Sequence, residues 1–265
     1  MKQRTKKVIM TVLVILVLLI LTIVTLYVNL KNFTVKKVLM PDAQEIYLMG
    51  TFHKEHFKRY ANYSMEEMIN AINNIEPDVV FIEAREDSFV EYGVVDGPID
   101  MCIAYCYCMD KNIPVEMIDY WKIDNDFKEN TTTNERDDCI HENIMEKRNL
   151  YKNQRILVIC GFGHLNAQTN RLIKSGGQSE SISHRSSLFD KADKETLDFT
   201  YPGQICDVWE RRVLFYGHTV PKLVQADDTL NEDTKASWVE DKNNTFYNSQ
   251  MKYCELFQNN KLYID

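Results

Sequence analysis

Two short glycine–histidine turns contain the residue types in this chain that could perform chemistry. Gly50 precedes His53 by three residues, and Gly161 precedes His164 by three. Each turn directly follows an apolar run that is typical of a buried strand. Histidine is the commonest metal ligand and the usual general acid or base near neutral pH. Because ligands gather where the strands of an α/β sheet end, the two turns together predict one shared site.

The glycines and the helix that follows the second turn suggest how such a site would be built. Gly50 and Gly161 are expected either to adopt a positive φ or to allow a close approach of the backbone. His164 opens a predicted helix, whose dipole favours the neutral imidazole that a metal ligand must be. For either histidine taken alone, a packing residue or a helix-start residue is the simpler interpretation, and both alternatives stay open.

Three charged residues are further candidates for this site. Glu83 ends an apolar strand, where a carboxylate needs a partner, so it is either a metal ligand or general base, or half of an ion pair with Arg85 or another nearby basic residue. Asp119 follows another strand, and we expect it to be a helix cap or a loop carboxylate. Arg136 lies at an acidic helix start; its own pattern predicts a surface residue, although it could reach the site and bind an anionic group.

Other motifs fit known sites poorly. His53 and His56 are three residues apart, whereas a zincin needs a helical His-Glu-x-x-His with a spacing of four. Cys102, Cys106 and Cys108 do not share one helix face, so small buried apolar residues are a better interpretation than metal ligands.

Apolar periodicity predicts alternating strands and helices. The strands are predicted at 45–49, 78–83, 114–119 and 155–160, and the helices at 65–75, 99–111, 133–151 and 164–175, with shorter helices at 208–216 and 247–257. This alternation predicts an α/β fold with a predominantly parallel or mixed central sheet flanked by helices.

The N-terminal region has its own character. Residues 1–7 are a basic flank, and Val8 to Val28 form an uncharged run of the length that crosses a bilayer. We predict one transmembrane anchor at 8–28, a linker at 29–43, and an α/β domain at 44–265 that is weakly defined from 178 onward. The positive-inside rule places the N-terminus in the cytoplasm and the domain outside the cell membrane.

The charge balance excludes one class of partner. The chain has a formal net charge of −8, and outside residues 1–7 it carries 27 basic and 39 acidic residues. With no basic stripe, we expect no binding to nucleic acid. Seven cysteines, an odd number, do not form a disulfide framework, and free thiols weaken the prediction of an exported domain without reversing it.

Five short motifs, in order, resemble the TraB/PrgY/GumN family of the Tiki-like group, whose distant relatives include the erythromycin esterases and the haem-binding ChaN proteins. The motifs lie at 47–53, 77–83, 113–119, 135–137 and 158–165. The resemblance covers about residues 44–172, and no motif of the family can be placed after residue 178.

The resemblance implies a membrane-tethered, metal-dependent hydrolase of a peptide or ester bond, with a peptide signal such as a pheromone as one possible substrate class. His53, Glu83 and His164 would hold a divalent metal such as Mn²⁺, Co²⁺ or Zn²⁺, or two of them would hold it with the third as base. Arg136 matches the family's arginine and would stabilise an oxyanion or hold a substrate carboxylate. The alternative is a protein that sequesters a peptide or a haem-like ligand without catalysis.

Overall fold

A mixed sheet forms the centre of the fold. The computed structural model describes residues 2–28, 30–123, 133–191 and 202–258. The strands are β1 Val35–Leu39, β2 Glu45–Thr51, β3 Val79–Ile82, β4 Val115–Met117, β5 Ile156–Gly161 and β6 Gln178–Glu180. They are ordered β4-β3-β5-β2-β1-β6. The first four in that order are parallel, and β1 and β6 complete the sheet in antiparallel pairings.

Helices cover both faces of this sheet. The α-helices of the described residues are α1 Lys2–Val28, α2 Met65–Ile75, α3 Glu86–Tyr92, α4 Ile99–Asp110, α5 Thr133–Arg148, α6 Phe162–Lys174, α7 Pro202–Leu214, α8 Val220–Ala226, α9 Glu232–Ser237 and α10 Thr245–Gln258. Apolar residues of α2, α4, α7 and α10 pack on one face of the sheet. Those of α5 and α6 pack on the other. The predicted α/β class, with a mixed sheet flanked by helices, is confirmed.

The middle of the sheet is built from apolar strands that are buried on both sides. Every residue of β3 and β5 is buried. Continuous β-branched and aliphatic runs of this kind are characteristic of parallel strands covered by helices on both faces. These are the same runs from which the sequence predicted strands.

Helix α2 begins where the sequence places a start signal. The Ser64 hydroxyl accepts from the Glu67 backbone N–H, and the Glu67 carboxylate accepts from the Ser64 N–H, so two of the free donors at the helix start are satisfied. Met65, Met68 and Ile72 then point into the core. The helix spans 65–75, as predicted.

The sequence missed strands outside the parallel core. The predicted linker at 29–43 contains β1, which pairs with β2 through Val35–Met49 and Val38–Ile46. In β1 the lysines at 36 and 37 interrupt the apolar alternation, so the strand resembles a polar connection. The weakly defined region from 178 onward also adds β6 to the sheet and α7 and α10 to one of its faces.

The predicted anchor at 8–28 lies within α1. In the described ranges, no helix is both long enough and apolar enough to cross a membrane. The structure therefore confirms a helix in this segment but does not support its interpretation as a transmembrane span.

Burial in the central strand generates a prediction for stability. Ile159 of β5 is fully buried, whereas Val239 is 73% exposed. Ile159→Ala should lower the free energy of unfolding by about 2–5 kcal/mol, because it removes buried methyl groups and leaves a cavity. Val239→Ala, the control, should change it by less than about 0.5 kcal/mol. Urea denaturation measures both, and equal effects would contradict this account of the core.

Candidate active site

The parallel register brings the predicted site residues to one edge of the sheet. Thr51 at the end of β2 pairs with Gly161 at the end of β5. Ile82 at the end of β3 pairs with Ile159 of β5. His53, Glu83 and His164 follow these strand ends, so three separate segments deliver them to the same rim.

Gly161 lies at the point where these groups meet. A methyl group built on it would be 2.7 Å from His53 Nε2 and 3.3 Å from Glu83 Oε2. Its backbone N–H donates to Glu83 Oε2. Its φ is −55°, so it permits a close approach without a left-handed backbone. Gly50 also lacks a positive φ, and a methyl group there would be 3.0 Å from the Phe162 ring. Of the two predicted roles for these glycines, close approach is confirmed.

Arg136 connects three groups of the rim. Its Nη2 donates to Glu83 Oε1 at 2.7 Å. Its Nε and Nη2 donate to the two oxygens of Asp119 at 2.9 and 2.8 Å. Its Nη1 lies 3.2 Å from His164 Nε2. The prediction of Arg136 as a surface side chain is therefore wrong, whereas Asp119 lies in a loop, as expected, and also pairs with Arg136.

The pKa values of Asp119 and Arg136 both differ from their ordinary values. Burial raises the pKa of Asp119 to about 6, against the opposing effect of Arg136, and the nearby Glu83 carboxylate contributes to the increase. Burial disfavours the charged form of Arg136, but Asp119 and Glu83 together raise its pKa above the ordinary value. Arg136 is thus a permanent cation that two carboxylates share.

His53 contacts a buried carboxylate through its imidazole and has a left-handed backbone conformation. Its Nδ1 lies 3.1 Å from Asp100 Oδ2, and the Asp100 carboxyl group is fully buried. Its φ of 53° is in the left-handed region, which is uncommon for residues other than glycine and occurs more often at functional positions. Burial disfavours the imidazolium, but the Asp100 carboxylate outweighs this effect and raises the pKa of His53 to about 9.

His164, like His53, has a buried carboxylate in contact with its Nδ1. Its Nδ1 lies 2.7 Å from Oδ1 of Asp137, which is also buried. Gln168 donates to the same carboxylate oxygen at 3.0 Å and keeps it in place. Burial acts to lower the pKa of His164, but Asp137 and Glu83 raise it overall. With Nδ1 of each ring bonded to a carboxylate, Nε2 is the atom that remains for the site.

The carboxylate–histidine pairs are typical of metal ligands, but the donor set around Arg136 is not. Arg136 donates to Glu83 and contacts His164 Nε2, so a cation already occupies the place between two of the predicted ligands. Within the described part of the chain, no three His, Cys, Asp or Glu side chains are arranged to hold a metal ion. In this arrangement the residues do not fit the predicted divalent metal.

Other candidates have structural roles. Arg85 pairs with Asp96 at 2.5 Å and not with Glu83, whereas Arg136 is the nearby basic residue that forms the expected ion pair with Glu83, at 2.7 Å. His56 is fully buried; its Nε2 accepts from the Phe52 N–H at 2.7 Å, and it does not face the site. Cys102, Cys106 and Cys108 are buried, as expected.

Two site residues were missed altogether. Asp100 and Asp137 each lie in the first turns of a helix, where an acidic residue is explained by the helix dipole alone. Asp100 is 47 residues from His53, and Asp137 is 27 residues from His164, so no local pattern connects them. For Asp137, the sequence did contain one indication of a role in the site, because this residue directly follows Arg136 in a motif of the family resemblance.

This set of groups is suited to acyl transfer to water. It combines the His53 imidazole, oriented at Nδ1 by the buried Asp100, with the Glu83 carboxylate on the Nε2 side of the ring and the fixed cation of Arg136. Such groups move protons and stabilise a developing oxyanion.

Comparisons with known proteins do not identify the chain. It matches no protein-family model, no curated protein and no solved structure.

The crowding at Gly161 predicts different effects for two neighbouring glycines. Gly161→Ala should push the His53 imidazole away from its position against Asp100, and the pKa of His53 should fall from about 9 toward 6.5. Gly163→Ala is the matched control, because a methyl group there would have no neighbour within 4 Å. NMR titration of the imidazole resonances measures both variants. An unchanged His53 pKa in Gly161→Ala would contradict the placement.

Proposed function

We propose that this chain is a hydrolase that cleaves a carbonyl-centred bond, a peptide or an ester, at the rim formed by His53, Glu83 and Arg136. One observation carries the proposal. His53 Nε2 and Glu83 Oε2 face the same small space beside Gly161, with Asp100 behind the imidazole and Arg136 bonded to the glutamate. A water molecule and a substrate carbonyl in that space would meet a base and a cation together.

His53 acts as the general base in its neutral form. The Asp100 carboxylate holds the proton on Nδ1, so Nε2 accepts a proton from water as the oxygen attacks the carbonyl carbon. The imidazolium formed is stabilised by the same carboxylate. It then returns the proton to the leaving nitrogen or oxygen when the tetrahedral intermediate collapses, and the proton balance closes.

Arg136 supplies positive charge where the carbonyl oxygen becomes an oxyanion. Glu83, Asp119 and His164 fix the guanidinium from three sides, so little reorganisation is needed as that charge develops. In this scheme His164 and Asp137 position Arg136, and they do not take the proton from water.

The resemblance to the TraB/PrgY/GumN family supports this reaction class and favours a peptide substrate, including a peptide signal. It also implies a membrane-tethered protein with its domain outside the cell, which the proposed reaction does not require. A divalent metal at His53, Glu83 and His164 stays a prediction of the resemblance, and no step here depends on one.

The proposal predicts multiple turnover that depends on residue 53. The full chain should release product in excess over enzyme from p-nitrophenyl butyrate or from members of a quenched fluorescent peptide library. His53→Asn should reduce kcat/KM by about 10²–10⁴-fold, because it removes the base. Asparagine tolerates the left-handed backbone at this position, so the variant should still fold.

The control is His141→Ala, in helix α5, whose ring contacts Ser175 and not the rim. It should keep wild-type turnover. Full activity in His53→Asn would refute the role of His53 as the general base. Ligand uptake that saturates at one equivalent, without release of product, would favour the sequestering alternative. Activity lost on chelation and restored by Mn²⁺, Co²⁺ or Zn²⁺ would show that the metal-dependent form of the reaction is correct.

The Asp100–His53 pair predicts a pH profile. Because only the neutral imidazole accepts a proton, kcat/KM should rise with pH and level off above about 9, the pKa of His53. Asp100→Asn keeps a hydrogen-bond acceptor for Nδ1 but removes the negative charge. Its profile should therefore level off at a lower pH, closer to 6.5, with a smaller maximum.

Initial rates measured with one substrate from pH 6 to 10, in steps of roughly one pH unit, would show this shift in the profile. The same profile for wild type and Asp100→Asn would mean that the ionisation of another group controls the rate.

A further inference from the structure

Four buried thiols from three separate helices lie together in the layer of helices on one face of the sheet. Cys102 and Cys106 are on α4, Cys206 is on α7, and Cys254 is on α10. All four are free and buried. The proposed reaction uses none of them.

Within this group, Cys206 and Cys254 are in direct contact. Their side chains lie within hydrogen-bonding range of each other, and both belong to the same buried core cluster. They are 48 positions apart in the sequence, and only 8% and 4% of their surfaces are exposed. Two sulfur atoms in hydrogen-bonding contact need little movement to reach bonding distance, provided the backbones already face each other.

The packing of α7 against α10 independently fixes this facing arrangement. Trp209 Nε1 donates to the Gln250 carbonyl oxygen at 3.0 Å, and the Tyr247 hydroxyl donates to Glu210. The later residue of α7, Glu210, contacts the earlier residue of α10, Tyr247, so the two helices run antiparallel. Continuing the same register by one turn places Cys206 opposite Cys254.

We propose that Cys206 and Cys254 form a reversible disulfide that joins α7 to α10. The oxidant is a small disulfide or an oxidised dithiol protein. The Cys206 thiolate attacks one of its sulfurs and expels a thiolate, which gives a mixed disulfide at Cys206. Cys254 then attacks the Cys206 sulfur and releases the second thiol, so two protein thiols are oxidised and one external disulfide is reduced to two thiols.

The surroundings assign the order of these two steps. Cys206 is the more exposed residue of the two, at 8% against 4%, so the external disulfide reaches it first. Burial raises the pKa of both thiols above the ordinary value, so the exchange is slow at neutral pH. The bond would close a long loop through the C-terminal helices and hold α10 on the fold.

The test uses the full chain incubated under native conditions with cystamine, followed by alkylation and peptide mapping by mass spectrometry. We expect a cross-linked peptide that contains Cys206 and Cys254, and a rise in Tm of about 5 °C that dithiothreitol reverses. In Cys254→Ser, Cys206 should instead keep one cysteamine, because the second step is lost. In Cys206→Ser no cysteamine should be found at Cys254.

Two controls make the result decisive. Cys139→Ser removes a more exposed thiol on α5 and should leave the cross-link unchanged. Cys106→Ser removes a neighbouring thiol, one that lies close enough to Cys206 for that residue to raise its pKa, and should also leave the cross-link unchanged. A Cys106–Cys206 cross-link would overturn the proposal. So would native chain that stays fully reduced while unfolded chain is oxidised by the same reagent.

Discussion

The parallel pairing of β3, β5 and β2 is the constraint on which the site depends. Its backbone hydrogen bonds set the three strands in one register, so that Ile82 lies beside Ile159 and Thr51 beside Gly161. A shift of one residue would turn every side chain of the shifted strand to the opposite face of the sheet and would move the strand ends out of line. The residues that follow these strands therefore converge without a loop having to reach across the sheet.

The second requirement is the balance of buried charge. Arg136 faces two carboxylates, and each histidine has a buried carboxylate behind it. Removing one member of such a set leaves an uncompensated charge in a low-dielectric environment, which costs more than the lost contact itself. The pKa of Asp119 is raised mainly by burial, which Arg136 opposes and the nearby Glu83 carboxylate reinforces. The rim is thus rigid for electrostatic reasons as well as by packing.

The sequence predicts the parts of this arrangement that local patterns record. Apolar runs identify the four parallel strands, and the spacing of glycine and histidine identifies the two turns. What it cannot record is which distant residue supplies each partner. Asp100 looks like an ordinary acid at a helix start, and only the packing of α4 against the strand ends places it behind His53. Strand β1 was missed for a related reason, since the Lys37 side chain that interrupts its apolar pattern pairs with Glu45 on β2 and Glu180 on β6.

Arg136 and a divalent metal are competing answers to one electrostatic problem. Glu83 and His164 Nε2 present negative charge and a lone pair to the same point, and a cation must lie there. A metal that took both ligands would have to displace the guanidinium. Asp119 would then lose the partner that keeps its buried carboxyl group ionised, and its pKa would rise further. Metal at these two ligands would therefore require release of Arg136, whereas the arrangement with Arg136 bound has its positive charge in place without any cofactor.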